Sequence, residues 1–211
     1  MNARRLYAVE TFLTIACLSF VLAVVTRAQD KDRPVGHPVP GFVPQSHDDD
    51  DDFRAREGLR IVRDWGIKLN LKGKDHRLVG LGSYLVNAVS ECNDCHTFPL
   101  YVPGGDPFQG QPEQINTQNY LAGGAPFFGP FVPRNLTPDA SGKPAGLTLH
   151  EFIHIMRTGE DDEPPVLPDG SDTLLQVMPW PTFRKMSDHD LRAIYEFLSS
   201  IPHAEPAPPM P

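Results

Sequence analysis

Residues Ser90–Phe98 read SECNDCHTF, two cysteines separated by two residues with a histidine directly after the second. The 211-residue chain has only one other cysteine, Cys17, and it lies in a segment with the character of an export signal. Arg4 and Arg5 give that segment a positive start, an apolar run follows from Thr11 to Val25, and Thr26-Arg27-Ala28 offers a small-residue cleavage site. Glu10 holds the run to about 15 residues, short of the roughly 20 a spanning helix needs, which favours cleavage over a retained anchor. Residues 1–28 therefore read as a signal peptide or anchor. The expected location is periplasmic or exported, with a membrane contact only if the leader stays. Cys92 and Cys95 are then the thiols left to the mature chain, and exported thiols that are neither paired nor occupied are open to oxidation.

Several chemistries use paired thiols. A structural zinc site wants four ligands, and no second cysteine pair or spaced histidine pair completes one, although His150 and His154 share a helix face. A thioredoxin-like dithiol expects a βαβ setting, which the chain lacks. A disulfide across two residues would close a tiny loop and stabilise little. Cys-x-x-Cys-His is the attachment signature of a c-type haem: Cys92 and Cys95 would become thioethers and His96 would take an axial position on iron.

Outward from the motif, Leu78, Leu81, Leu85 and Val89 fall on one helical stripe, so a helix over Arg77–Val89 is expected to lead into it. Leu59, Val62 and Trp65 suggest a short helical arm over Arg54–Trp65. Ahead of it, Gln29–Asp52 mixes proline, glycine and the Asp48–Asp52 run, so residues 29–74 are expected to be a flexible tether carrying that arm. Thr148 with Glu151, and Ser187 with Asp190, are start signals for two further helices, the second ending at Pro202. Residues 204–211 read as a disordered tail. Between Thr97 and Gly146 lie about fifty residues rich in Gly, Pro and aromatics, longer than a structureless loop normally runs. A planar apolar cofactor would give Phe98, Tyr101, Phe108, Phe127, Phe128 and Phe131 a surface to cover.

A low-spin electron carrier needs a second strong iron ligand, and a thioether favours the reduced metal. Of the five methionines, Met1 and Met210 lie at the ends, Met156 falls on the apolar stripe of a helix, and Met186 precedes the cap Ser187. Met178 stands in QVMPW, where Pro179 stiffens an extended backbone, so it is the candidate. His150, His154 and His189 are the rival ligands.

LVGLGSYLVNAVSECNDCHTF, YLAGGAPFFGPFVPRNLTPD, LTLHEFIHIMRTG and VMPWPTFRKMSDHDLRAIYEFLSSIP occur in this order. Together they resemble the single-haem class I cytochrome c domain found in exported bacterial proteins, and in tandem in the cytochrome subunits of periplasmic alcohol and sugar-acid dehydrogenases. The resemblance covers about Asp75 to Pro202, within a domain read as 75–203. It implies a mainly α fold with long Gly/Pro-rich loops around one covalently bound haem c and its iron, and an N-terminal helix crossing the C-terminal one. It also implies the methionine of the Met-Pro-aromatic block, Met178, as distal ligand, and Arg157 and Trp180 as groups that could reach the propionates. The arm and the aspartate run are not part of the shared pattern.

With 19 basic against 27 acidic side chains the formal charge is -8, and loss of residues 1–28 would take away a net +2 and leave -10. Such a chain has nothing to offer a nucleic-acid backbone. The expected function is single-electron transfer by an exported c-type cytochrome between a dehydrogenase or respiratory donor and a downstream acceptor, with no substrate bond made or broken. Redox proteins, a dehydrogenase among them, are the expected partners, and the acidic loop Gly159–Asp172 could favour a basic one. The alternatives are a haem enzyme or gas sensor with an open distal face, and an obligate electron-transfer subunit of a dehydrogenase complex.

Overall fold

The computed structural model describes residues 47–124, 131–161 and 174–207, with side chains from residue 49 onward. Among these residues all regular secondary structure is helical, and extended pairing is limited to the isolated bridges Tyr101–Ile115, Pro138–Pro144 and Glu160–Leu174. The fold is mainly α, as the sequence leads one to expect.

The first helix, α1 (His47–Asp64), begins earlier than its apolar pattern does. The aspartate run, expected in a flexible tether, forms its opening turns. Carboxylates suit the positive end of a helix, and Arg54 bonds Asp50 at 2.9 Å and Asp51 at 2.6 Å, one turn back. Asp52 reaches across to Arg77 at 2.6 Å. The opposite face buries Ala55 and Val62 in the core, so the tether expected over 29–74 is, from His47 on, a packed part of the fold.

The second helix, α2 (His76–Tyr84), is capped by Asp75, whose side chain accepts from the amides of Arg77 and Leu78. It lies between α1 and the last helix, α6 (Asp188–Leu198), and glycines make both approaches close. A Cβ on Gly58 of α1 would stand 2.0 Å from the Gly80 carbonyl oxygen, and one on Gly82 would stand 1.9 Å from the Ala193 oxygen. The contacts of α2 with α1 and with α6 are therefore backbone-to-backbone. They are walled by Val79, Leu81, Leu191, Ile194 and Phe197, all buried.

The expected stripe holds at Leu81 and Leu85 and fails at Val89, which is 54% exposed. The reason is a π-turn over Leu85–Val89, in which Ser90 N donates to Leu85 O five residues back at 2.8 Å. One extra residue in the turn rotates the register and carries Val89 off the core face.

Both start signals are used. Thr148 and Glu151 form a reciprocal capping box at the head of α4 (Leu149–Thr158), and Ser187 Oγ accepts from Asp190 N to begin α6. Phe152 and Met156 of α4 are buried, which places Met156 in the core. Replacing Thr148 by alanine is expected to lower stability by about 1 kcal/mol, since it strands amides at that helix end. A urea titration should register this as a lower midpoint with an unchanged slope.

The long loops are tied by backbone bonds. Val102 N to Gln114 O, Gln114 N to Gly105 O and Asn116 N to Leu100 O, at 3.1, 3.0 and 2.9 Å, zip residues 100–116 into an irregular hairpin. Phe98, Tyr101 and Phe131 are half-buried. Phe108 is 90% exposed, so it covers nothing within the chain, and Phe127 and Phe128 lie outside the described residues. The start of the expected disordered tail is held too: Asn135 Nδ2 donates to Ala204 O and Asn119 Nδ2 to Glu205 O, each at 2.8 Å.

Candidate functional site

Glu91, with φ at 51°, turns the chain out of the π-turn and starts the short helix α3 (Cys92–His96). On that single turn stand both cysteines, unpaired and half-buried, and His96. Burial, with Cys95 close by, pushes the Cys92 thiol up to about 12, and burial likewise raises the Cys95 thiol. Thiols held protonated are poor nucleophiles, the reverse of what a dithiol exchange site requires.

His96 is fixed from both ends. Its backbone carbonyl accepts from Gly123 N at 2.7 Å, and its ring Nδ1 lies 2.8 Å from the carbonyl oxygen of Arg134. A carbonyl can only accept, so Nδ1 carries the hydrogen and Nε2 keeps the lone pair. Burial lowers the imidazole's pKa and holds it neutral. An imidazole aimed by a backbone carbonyl through its other nitrogen is the usual second-shell arrangement of a metal-binding histidine.

The segment that supplies this carbonyl is itself clasped. Gly123, at φ 65°, leaves room where a Cβ would meet Pro133 O at 2.2 Å. Leu136 N donates to Leu121 O at 2.8 Å, and Leu121 N to Thr97 Oγ1 at 3.0 Å. Asn135 Oδ1 accepts from Thr137 N at 2.8 Å and from Thr137 Oγ1 at 2.7 Å, closing a turn at Asn135-Leu136-Thr137. The Arg134 side chain pairs with buried Asp161 at 2.9 Å. The stretch YLAGGAPFFGPFVPRNLTPD, residues 120–139, carried part of the family resemblance, which gave no role to Arg134. The Asn-x-Thr turn signal was present, but a backbone carbonyl leaves no mark in a sequence.

Met178 stands on a separate extended segment, its side chain half-buried against the core. The segment is moored at both ends. Leu175 N donates to Gly159 O at 2.8 Å ahead of it, and Trp180 N to Met178 O at 2.8 Å behind it. Trp180 opens α5 (Trp180–Phe183) and lies against Gly159, where a Cβ would meet the indole Nε1 at 2.4 Å. Arg157, considered as a propionate contact, donates instead to the carbonyls of Arg184 and Met186 and to Asp188. Its guanidinium satisfies protein acceptors and anchors the chain between α5 and α6. The rival histidines are exposed: His154 lies 3.2 Å from Glu160, His189 lies 3.7 Å from Asp51, and His150 faces solvent. Of the acidic loop Gly159–Asp172, only residues 159–161 are described, and Asp161 is already paired.

One feature of the clasp titrates. His203 Nδ1 faces the Pro138 carbonyl at 2.9 Å and Nε2 faces the Glu205 carboxylate at 3.0 Å, so the doubly protonated ring serves both acceptors. Glu205 first, then the Pro138 carbonyl, raises its pKa above the ordinary 6.5. A raised folded value means stabilisation that is complete below the unfolded value and lost as pH climbs through the folded one. The urea midpoint of the protein should therefore exceed that of His203→Gln by more at about pH 5.5 than at about pH 8.5. A gap that widens with pH would contradict this.

The chemistry of the Cys92–His96 turn suits a c-type haem: two thiols one helical turn apart for thioether bonds, and a neutral imidazole with its lone pair on Nε2.

No protein-family model matches the chain. It is 31% identical over 123 residues to the alcohol dehydrogenase (quinone) cytochrome c subunit of Gluconobacter oxydans (strain 621H), covering 58% of this chain and 21% of that protein. It is 30% identical over 123 residues to the gluconate 2-dehydrogenase cytochrome c subunit of Pantoea cypripedii, covering 57% of this chain and 22% of that one. The matched part thus spans about a fifth of each relative's length.

Proposed function

From a chain similar to cytochrome c subunits of two dehydrogenases, we propose an exported c-type cytochrome that passes single electrons through one covalently bound haem. Cys92 and Cys95 would tether the haem c, and His96, through Nε2, and Met178 would bind its iron. The haem, when bound, supplies the one-electron iron couple. The chain's own residues hold it and set its environment: Arg134 O keeps the imidazole oriented, and Gly159, Trp180 and Arg157 keep the methionine segment in place. The observation that carries this reading is the Nδ1–carbonyl bond on a histidine that directly follows a Cys-x-x-Cys turn.

Residues 1–28 are assigned as the export segment and the protein is placed in the periplasm, retained at the membrane only if that segment is uncleaved. Among the described residues no helix is long and apolar enough to cross a membrane. The relatives' names favour a second form of the same reading, in which the cytochrome serves a dehydrogenase as its electron-transfer subunit. The catalytic chemistry would then belong to the partner.

Two spectra test the proposal. The pyridine haemochrome of the exported protein should show the band position of a haem whose two vinyl groups have been saturated. The oxidised protein should show a weak far-red thioether-to-iron band that disappears in Met178→Ala. A far-red spectrum indifferent to that substitution would sink the His/Met assignment and favour the open-faced enzyme or sensor.

A further inference from the structure

The sequence from Leu78 to Pro133 contains no lysine or arginine, yet it includes Glu91, Asp94, Asp106 and Glu113. Glu91 and Asp94 lie at the Cys92–His96 turn itself, and Asp106 lines the same groove as Tyr101. Glu91 and Asp94 flank Cys92 in the chain, and the Tyr101–Ile115 bridge brings Glu113 next to the strand that carries Tyr101. The negative field of Asp94, Glu113 and Asp106 is felt together at the Tyr101 phenol.

Within this segment stands Phe108, 90% exposed. A phenyl ring left in water forgoes the stabilisation that burying its apolar surface would bring. The backbone beneath it is firmly built. Asp106 Oδ1 accepts from Phe108 N at 2.9 Å, its Oδ2 from Gln109 Nε2 at 2.8 Å, and Asp106 N donates to Gln111 Oε1 at 3.0 Å. Next to the ring's loop runs a groove of about 480 Å³, lined by Leu100, Tyr101, Val102, Pro103, Gln109 and Gln111. An exposed aromatic on a hydrogen-bonded loop beside a groove of mixed polarity has the character of an interface anchor, because the entropy cost of ordering its loop is met before any partner arrives.

We propose that Phe108, the groove beside it and the surrounding acids form the docking face for a basic partner protein. That partner buries the ring in an apolar pocket and sets lysines or arginines against Glu91, Asp94 and Glu113. The assignment rests on the electron-transfer reading, since this face borders the turn that carries the haem. The two parts have separate tasks. Charge selects the partner's sign and hastens encounter, while the buried ring slows release.

The test takes the full haem-loaded chain, isotopically labelled, with lysine-rich mitochondrial cytochrome c as the probe, and follows amide shifts by NMR. In low salt the shifts should centre on Glu91–Asp94 and Asp106–Gln111. Affinity should fall at least tenfold as ionic strength rises from about 10 mM to about 150 mM. The triple variant Glu91→Gln, Asp94→Asn, Glu113→Gln should lose at least tenfold in affinity and most of the salt dependence. Phe108→Ser should lose about threefold or more, with its salt slope and absorption spectrum unchanged. Shifts centred elsewhere, or a triple variant that binds like the parent, overturn the proposal. So does a concentration-dependent dimer of the full chain that Phe108→Ser abolishes, which would make the face a self-association surface. A preparation that never acquires haem refutes the electron-transfer reading instead, and binding of the probe is measured independently of that outcome.

Discussion

With Cys92 and Cys95 both replaced by serine, acidified acetone should strip all pigment from the protein, whereas the parent should retain all of it. Serine matches cysteine in shape but its oxygen does not form the thioether, so any haem still captured is held by His96, Met178 and apolar contacts alone. Each single variant should keep one thioether and give a haemochrome band between those of free and doubly attached haem. The loss reaches beyond colour. A group that binds only the folded chain contributes its binding free energy to folding, so the double variant should also melt earlier and yield less soluble protein. A colourless parent, or pigment that survives extraction from the double variant, would refute covalent attachment at this pair.

Gly82→Val should be the most damaging single substitution outside the motif. In an open helix, replacing glycine by alanine gains about 1 kcal/mol in propensity. At Gly82 the added Cβ falls 1.9 Å from Ala193 O and 2.7 Å from Phe197 Cβ, so the two helices must separate. Overpacking of this kind typically costs about 1–3 kcal/mol. Here the obstacle is a backbone oxygen that cannot rotate away, and valine adds two further methyl groups, so a loss of about 3 kcal/mol or more is expected. That is a large share of the roughly 5–15 kcal/mol that keeps a domain folded. Gly73→Asn is the control: φ is 74° with nothing within 4 Å, a left-handed turn that asparagine tolerates. Urea titration should find that variant near the parent and Gly82→Val poorly folded. Equal midpoints for Gly82→Val and the parent would rule out a close crossing of α2 and α6.

The elements that could be read before any coordinates were those with a local cause. The caps at Thr148 and Ser187 compete for amides within one turn of themselves, and both form. The core position of Met156 follows from helical spacing alone. Where an outcome depended on the register of a long helix or on a neighbour far away in sequence, local reading failed. Val89 was assigned to the apolar stripe because 3.6-residue spacing was assumed throughout, and one π-turn displaced it. The Asp48–Asp52 run looked like a solvated tether because, apart from Arg54 one turn on, what holds it is distant in sequence: Arg77 and His189 lie on other helices, and the helix it opens packs on α2. The acceptors of Arg157, at Met186 and Asp188, lie some thirty residues away and left no mark in the local sequence.

By itself the sequence made legible the Cys-x-x-Cys-His pattern of residues 92–96 and the helical class of the chain, because each depends on residue types at short, fixed spacing. The tertiary structure alone decided which nitrogen of His96 carries its hydrogen, where the aspartate run lies and which aromatic faces water. Those outcomes are set by a carbonyl from residue 134, by helices that meet only through missing side chains, and by a loop closed on itself. The first two join residues that the chain separates widely, and their energies exist only once the backbone has brought them together.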